Sequence, residues 1–416
     1  MSLVIELKLC YGGGVVSSII ELKGEMTVPG WVRAGAALFG AAWGSNQFTP
    51  MLLVYRQRLG LQTGTLEAMF GCYALGLIPG LLVAGPLSDA RGRRPVVLAS
   101  AVLSLAGTVA LLLAGDALAV LFAGRFLIGV GAGAAFGAGT AWLRELSRPP
   151  FDTASDHDAA RRGAVAMTLG FALGPLVSGL LAQWAPDPGV VPYLPHALVM
   201  LGVIALVAGA PETVTRISGS AIARALPSLR HPRFVRVVAP MAPWVFAAPA
   251  VAFALLPSVV GAAHATDGIA LTAAVAVAAS LAGVFVQPVA RRLDAHARGN
   301  RAATLGLAVT VAGLALSAVT VHEHQTWMLV PSSVVLGMGY GLCLVAGLVE
   351  VQRLAPPEAL AGLTAIFYVI TYLGFAVPYL LALAAHLTGY ATLLLITAGL
   401  ALATAVWVRL QSRPAS

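Results

Sequence analysis

The sequence predicts an all-helical membrane protein whose twelve transmembrane helices form two pseudo-symmetric six-helix bundles. Three observations predict this class: a very apolar composition, twelve long apolar segments, and short motifs that recur in the two halves. Of the 416 residues, 59% are hydrophobic and 10% are charged. A soluble domain carries about 25% charged residues, so a water-facing surface cannot be built from this composition.

Twelve apolar segments, bounded by charges and turn residues, are each long enough to cross a bilayer, which takes about 20 residues in a helix. They are also longer than the strands of a membrane barrel, which need about 9–11 residues. The predicted helices cover residues 33–55, 65–87, 95–115, 117–143, 163–185, 190–210, 236–261, 268–290, 302–321, 327–349, 360–385 and 389–409.

The arginines and lysines predict the direction of the helices. If the N-terminus is inside, all but three of the 25 Lys and Arg residues lie in cytoplasmic segments. Arg56 and Arg58 lie on the opposite side, and Arg125 lies within a helix. This bias follows the positive-inside rule and places both termini in the cytoplasm. The net charge of +8 is then explained by topology, and nucleic acid is not expected as a partner.

An internal repeat predicts two halves. Residues 129–133 (GVGAG) resemble residues 337–341 (GMGYG), and residues 169–172 (LGFA) recur unchanged at 373–376. Both matches map a helix onto the one six positions later, and such a parallel repeat is typical of transporters that bind substrate between their halves. The predicted organisation is a leader at 1–30, bundles at 31–212 and 236–410, a cytoplasmic linker at 213–235, and a tail at 411–416.

The first 25 residues fit this plan poorly. They mix Glu and Lys with short apolar patches and lack the long apolar region of a signal peptide. Met26 directly precedes the first predicted helix. We interpret Met26 as the true start of translation; the alternative is a cytoplasmic amphipathic leader.

The loop after the second predicted helix carries the most specific motif. Residues 85–94 read GPLSDARGRR and resemble the signature loop of the major facilitator superfamily, although Ala90 stands where the family usually has Arg. The resemblance extends over residues 31–410 and implies the twelve-helix fold of its drug/proton antiporters. An aspartate here can pair with cations and with the N-terminus of a helix in the other half, which implies a gate. The alternative is a plain positive-inside hairpin. The expected gate residues are Gly85, Asp89, Arg91, Gly92, Arg93 and Arg94.

Arg125 is the one cation that lies away from the ends of a predicted helix, and an intramembrane arginine is a functional hypothesis by default. It begins the sequence RFLIGVG, which resembles the superfamily's fourth-helix pattern, although Ile128 replaces a glutamine common in proton-coupled members. Asn46 and Gln47 lie at nearly the same depth and can accept its hydrogen bonds. We expect these three residues to act in coupling or substrate binding; the alternative is a structural arginine.

The fifth predicted helix resembles the element associated with proton-coupled exporters. Small residues four positions apart allow close helix packing, and a proline bends the helix, which favours export over import. The same residues also suit a simple packing face. The motif residues are Gly170, Gly174, Pro175 and Gly179.

Glu67 lies near the outer start of the second predicted helix. Burial disfavours the charged form of a carboxyl group, so Glu67 is a candidate carrier of the coupling proton. The alternative is that it caps the helix.

Aromatic residues in a cavity suit flat apolar or cationic ligands, although lipid-facing and packing roles are more common. Three distant cysteines predict neither disulfides nor a metal cluster, and neither metal nor cofactor is expected. The candidate cavity aromatics are Trp43, Tyr73, Trp244, Tyr340 and Tyr372.

These observations predict a monomeric secondary transporter in a bacterial inner membrane, with protons as coupling ion, that exports small amphiphilic compounds. The alternatives are an uptake permease or uniporter for a polar metabolite, and a sensor on the same fold. An enzyme is not expected, because the sequence has neither a metal-binding spacing nor paired buried carboxylates.

The interpretation of Met26 predicts that a chain beginning at this residue inserts and transports like the full sequence. The measurement is the membrane yield and the transport rate of the two versions side by side. Loss of insertion or activity in the shorter chain would show that residues 1–25 are needed.

Overall fold

In the computed structural model, the described residues are 4–11, 14–21, 28–213, 221–262, 266–295, 300–356 and 359–411. They include two strands, β1 (Val4–Tyr11) and β2 (Gly14–Glu21), that pair as an antiparallel hairpin with Val4 opposite Glu21. This hairpin was not predicted. Met26 lies outside the described residues.

The remaining elements are helical, as predicted. Eleven helices in the described part of the chain are long and apolar enough to span a membrane. The first predicted helix is present as two segments separated by Gln47. In chain order the helices are α1 (Gly30–Asn46 with Phe48–Leu59), α2 (Thr63–Arg91), α3 (Arg93–Leu113), α4 (Leu118–Leu146), α5 (Asp156–Trp184), α6 (Val191–Ala208), α7 (Phe234–Val259), α8 (Gly268–Leu293), α9 (Arg301–His322), α10 (Thr326–Leu354), α11 (Leu360–Thr388) and α12 (Tyr390–Leu410).

Polar residues extend one helix beyond its predicted start. α5 begins at Asp156, where Ser155 accepts a hydrogen bond from the Asp158 N–H and caps the helix. Arg162 of α5 lies 2.6 Å from Asp152 of the preceding loop. Hydrogen bonds from Arg162 and from the Thr153 N–H hold the pKa of Asp152 below its usual range. The prediction began at the first apolar residue, and this charged first turn precedes it.

The segment between the halves contains one further helix, Ala221–Leu229, which we call the linker helix. It packs on α11 and also contacts α2. The sequence predicted a polar connection here but no helix. Residues 214–220 of the predicted linker, including Arg216, lie outside the described residues.

The two halves repeat the same packing. A methyl group added at Gly170 of α5 would collide with the Phe39 carbonyl of α1, and one added at Gly374 of α11 would collide with the Pro243 carbonyl of α7. The contacts in the second half therefore involve the residues 204 positions later in each case. The glycine motifs of α4 and α10 likewise pack on the backbones of α2 and α8. This agreement confirms two pseudo-symmetric bundles.

The halves meet mainly where α5 packs on α8 and where α2 packs on α11. We call the end that carries the α1–α2, α7–α8 and α11–α12 connections the arginine-poor end. The opposite end, with the α2–α3, α4–α5, α8–α9 and α10–α11 connections, is the arginine-rich end. The sequence predicts that the arginine-rich end is cytoplasmic.

Candidate functional site

The motif between α2 and α3 forms an ion-pair network at the arginine-rich end. Arg93 is buried and lies 2.6 Å from Asp89 and 3.0 Å from Glu145 at the end of α4. Its Nη1 also donates to the Ser88 hydroxyl at 2.6 Å. Thr213, which follows α6, donates to Glu145 as well. The network therefore joins α2, α3, α4 and the chain after α6.

A second carboxylate fixes the start of α3. Glu212 accepts the backbone N–H groups of Arg93 at 2.9 Å and Arg94 at 3.0 Å. A carboxylate at this position satisfies free N–H groups and the positive end of the helix dipole. Gly92, which precedes the helix, has φ of 104°, and a side chain there would also meet Glu212. Sequence analysis missed Glu212, because no local pattern links it to a loop so distant in the chain.

These contacts bear on the expected gate. Asp89 was expected to pair with cations and with the N-terminus of a helix in the other half, and it pairs here with a cation, Arg93, of its own half. The two residues come together because the chain turns at Gly92, between the end of α2 and the start of α3. Arg91 is exposed, and a methyl group at Gly85 would meet no atom within 4 Å.

The second half has a related network at the same end. Arg233 lies 2.5 Å from Glu350 at the end of α10, and Arg353 lies 2.9 Å from the same carboxylate. Arg233 also donates to Asn300, which precedes α9, at 2.7 Å. Glu350 lies near the end of α10 as Glu145 lies near the end of α4, so each half has a carboxylate paired with an arginine at this end.

Arg125 is fully buried, but its partners differ from those expected. The guanidinium lies over the rings of Phe48 at 4.4 Å and Tyr73 at 4.9 Å. Among the described residues its hydrogen bonds go to three backbone carbonyls at 3.3–3.5 Å, those of Ser45, Met69 and Phe70.

The hydrogen bonds of the Asn46 side chain and of the Gln47 main-chain carbonyl go to α5 and not to Arg125. The Asn46 amide donates to the Phe171 carbonyl of α5 at 3.4 Å. The Gln47 carbonyl accepts from the Ser178 hydroxyl at 2.7 Å, and no partner for the Gln47 side-chain amide occurs in the described part of the chain. The sequence predicted the depth of Asn46 and Gln47 along the helix correctly, but it did not predict which groups they would contact. The expected contact between Arg125 and these two residues is therefore wrong.

Glu67 is buried to 1% exposure where α1, α2, α7 and α12 meet. Neither carboxyl oxygen has a hydrogen-bond partner within the ranges described above. Ser258 of α7 faces the carboxyl group, and Tyr390 of α12 interacts with both Glu67 and Thr63. No side chain caps the start of α2. The contacts therefore do not support the helix-cap alternative for Glu67.

Polar contacts across the halves lie at the same end of the bundle as Glu67. Arg56 of α1 donates to the Ser258 carbonyl of α7 at 2.8 Å and to the Thr63 hydroxyl at 3.1 Å. Gln183 of α5 donates to the Thr266 carbonyl at 2.9 Å and accepts from the Ala270 N–H at 3.2 Å. These bonds join the halves at the arginine-poor end.

Three of the five expected cavity aromatics belong to one cluster. Phe246 of α7 stacks on Tyr372 at 4.4 Å and on Tyr340 at 5.7 Å. Phe375 of α11 lies 5.5 Å from Tyr372 and 6.1 Å from Tyr73 of α2. Phe246 and Phe375 connect the cluster, and sequence analysis missed both, because apolar phenylalanines in apolar helices carry no distinguishing signal.

The two tryptophans lie elsewhere. Trp244 donates to the Thr404 hydroxyl of α12 at 3.3 Å, so its polar edge faces away from the cluster. Trp43 packs edge-on against Phe39 at 5.6 Å, and among the described residues its N–H has no acceptor.

The motif of α5 contacts both halves. Gly170 and Gly174 pack on the α1 backbone at Phe39 and Trp43. A methyl group at Gly179 would collide with Ala273 of α8, across the boundary between the halves. Close packing by small residues was expected, and this geometry places part of it at the inter-half interface.

Comparisons with known proteins agree with this fold. A family model described as Major Facilitator Superfamily matches residues 34–378. Over 99 residues the chain is 35% identical to the Multidrug resistance protein MdtL of Escherichia coli, a match that spans 23% of this chain and only 25% of that protein. A solved POT family transporter in complex with 5-aminolevulinic acid gives a TM-score of 0.77 at 15% identity, covering 94% of this chain and 97% of that one. The nucleoside transporter NupG gives 0.70 at 14% identity, covering 92% and 99%. Both solved structures show the fold alone.

The network around Arg93 predicts a difference between two adjacent arginines. Arg93→Gln leaves Asp89 and Glu145 without their shared cation, and we expect unfolding to become easier by about 2 kcal/mol, since both carboxylates keep some contact with water. The exposed Arg94 is the matched control, and Arg94→Gln is expected to change stability by no more than about 0.5 kcal/mol. Thermal unfolding of the purified proteins in detergent measures both. Equal midpoints for the two variants would contradict a structural role of the network.

Proposed function

The chain belongs to the major facilitator superfamily, and we propose that it is a proton-coupled exporter of small amphiphilic compounds that works by alternating access. Membership makes the protein a multi-pass membrane transporter of small molecules rather than an enzyme. The proposal adds the coupling ion, the direction and the chemical class of the substrate.

The observation that carries the proposal is the environment of Glu67. A carboxylate buried without a donor or a cation is strongly disfavoured, whereas the protonated form is tolerated. Glu67 also lies where helices of both halves meet, beside the Arg56 bond to α7. Gain or loss of a proton at this position would therefore affect the contact between the halves, as a coupling residue requires.

Two observations support export as the direction of transport. The α5 motif packs on α1 and, through Gly179, on α8 of the other half, and this motif resembles the element associated with exporters. The relative in E. coli is named for multidrug resistance, and the match to it is partial.

The cluster formed by Phe246, Tyr340 and Tyr372 supports an amphiphilic substrate, because stacked rings bind flat apolar groups.

The proposed transport cycle follows from the charges and contacts at the two ends of the bundle. The positive-inside rule favours a cytoplasmic arginine-rich end and cytoplasmic termini in a bacterial inner membrane. The bonds of Arg56 and Gln183 then close the external side. We propose that Asp89 leaves Arg93 in the opposite conformation and contacts the other half there, so that its gating role belongs to a state different from the one described. We further propose a monomer, since each chain contains both halves.

Glu67→Gln tests the coupling directly. Glutamine keeps the shape but cannot titrate, so accumulation driven by a pH gradient is expected to vanish while downhill exchange remains. The measurement is uptake into proteoliposomes, with and without an imposed gradient, over a panel of neutral, cationic and anionic compounds. Glu323→Gln, an exposed change at the same end of the bundle, is the control and should behave like the natural protein. Gradient-driven accumulation that survives Glu67→Gln would exclude Glu67 as the carrier and favour a uniporter.

Arg125→Lys tests the second buried charge. Lysine retains the charge but loses the planar group that stacks on Phe48 and Tyr73 and donates to three carbonyls. We expect transport to be abolished while the protein still folds and inserts, measured in the same proteoliposomes with size-exclusion chromatography as the folding check. Transport near the natural rate would show that charge alone is enough at this position.

A further inference from the structure

Two complementary groups at the arginine-poor end are not paired with each other. Arg56 donates to the Ser258 carbonyl and the Thr63 hydroxyl, both neutral acceptors. Glu67 follows Thr63 by four residues, so the two side chains share one face of α2 with their Cβ atoms about 5–6 Å apart. The Glu67 oxygens have no hydrogen-bond partner in the described part of the chain. A cation therefore lies close to a carboxyl group without neutralising it.

We propose that Arg56 is the counter-ion that captures the Glu67 carboxylate when its proton is lost, and that this capture opens the arginine-poor end. The proposal rests on the proposed function, in which Glu67 carries the coupling proton. Arg56 is in this view a positioning residue: it binds no substrate, and it links the charge of Glu67 to the contact between α1 and α7.

Whether Arg56 bonds to the Ser258 carbonyl or to Glu67 depends on the charge of Glu67. Ser258 lies in the last turn of α7, where carbonyls lack helical partners. Its hydroxyl is already bonded to the carbonyls of Ala254 and Leu255. While Glu67 is neutral, Arg56 satisfies the Ser258 carbonyl. A carboxylate accepts a stronger, charge-assisted bond than a carbonyl does, and an unpaired carboxylate in a dry site is strongly disfavoured.

Among the described residues, the other groups around Glu67 do not supply a positive charge that could pair with its carboxylate. Tyr390 comes from α12 and interacts with Thr63, Glu67 and Arg56. Ser258 is the group of α7 that faces Glu67, and within the described ranges no charged side chain of α11 interacts with it. Arg58 belongs to the same turn of α1 as Arg56, but it pairs with Asp116 of its own half at 3.4 Å. Arg58 is therefore a matched control.

The test measures the opening of this end without measuring transport. Spin labels are attached at Gln62 and Thr266, which are exposed and belong to different halves, in a full-length background whose cysteines are replaced by serine. Distances between the labels are recorded in lipid nanodiscs from pH 5 to pH 9. We expect the longer, open distance to become populated as pH rises, and we expect Glu67→Gln to remain closed throughout.

Removal of the counter-ion is expected to raise the pH at which the end opens. Arg56→Gln keeps an amide that can donate to the Ser258 carbonyl but has no charge to pair with the Glu67 carboxylate, so it should shift the midpoint upward by about one pH unit, a tenfold change in proton concentration. Arg56→Lys keeps the charge and should shift it less, and Arg58→Gln should leave the midpoint unchanged. If Arg56→Gln does not fold, the comparison of Arg56→Lys with the natural protein decides, with a smaller upward shift as the expected result.

Two results would overturn the inference in distinguishable ways. If Glu67→Gln abolishes the pH response but Arg56→Gln and Arg56→Lys match Arg58→Gln, Arg56 is not the counter-ion, and proton coupling through Glu67 stands. If the pH response persists in Glu67→Gln, Glu67 does not control this end, and the inference fails together with its premise.

Discussion

The desolvation of one carboxyl group determines how the arginine-poor end can be built. Glu67 is enclosed by helices of both halves, and a charge there would lose its hydration without gaining a hydrogen bond. The closed arrangement is therefore compatible with the neutral acid and opposed by the carboxylate. Arg56 reaches across to the Ser258 carbonyl beside this acid, so the bond that joins the halves lies next to the group whose charge would disturb it. In the proposed cycle, a closed arginine-poor end and a protonated Glu67 therefore occur together.

The internal repeat separates packing from chemistry. The residues that set the distance between helices recur, so that Gly170 on α1 has its counterpart in Gly374 on α7. The large aromatic residues do not recur: the position equivalent to Trp43 is Ala247, and the position equivalent to Tyr73 is Ala279. Away from the arginine-rich end, the buried charged residues of the described chain, Glu67 and Arg125, belong to the first half, whereas the second half contributes Phe246, Tyr340 and Tyr372. The two copies of one scaffold therefore differ in chemistry, with buried charges in one and most of the aromatic cluster in the other.

Sequence analysis predicted the helices and their order well, because a run of apolar residues bounded by charges fixes where a chain enters and leaves the bilayer. It failed where rotation about a helix axis matters. Asn46 and Gln47 lie at the depth of Arg125, but the Asn46 side chain and the Gln47 main-chain carbonyl bond to α5 instead. A helix that is apolar all round has little amphipathic signal to reveal its faces. The same limit hid the cluster joined by Phe246, whereas the capping of α3 by Glu212 was hidden by separation in the chain.

The contrast between the two ends explains how rigid halves can move against each other. At the arginine-rich end, the Arg93 pairs with Asp89 and Glu145 connect helices of one half, and the Arg233 pair with Glu350 connects helices of the other. Strong charge-assisted bonds there stabilise each bundle as a unit. At the arginine-poor end, the bonds of Arg56 and Gln183 to backbone groups cross between the halves. Bonds to neutral acceptors are weaker than ion pairs, so the contacts that must break during a cycle are the ones that break more easily.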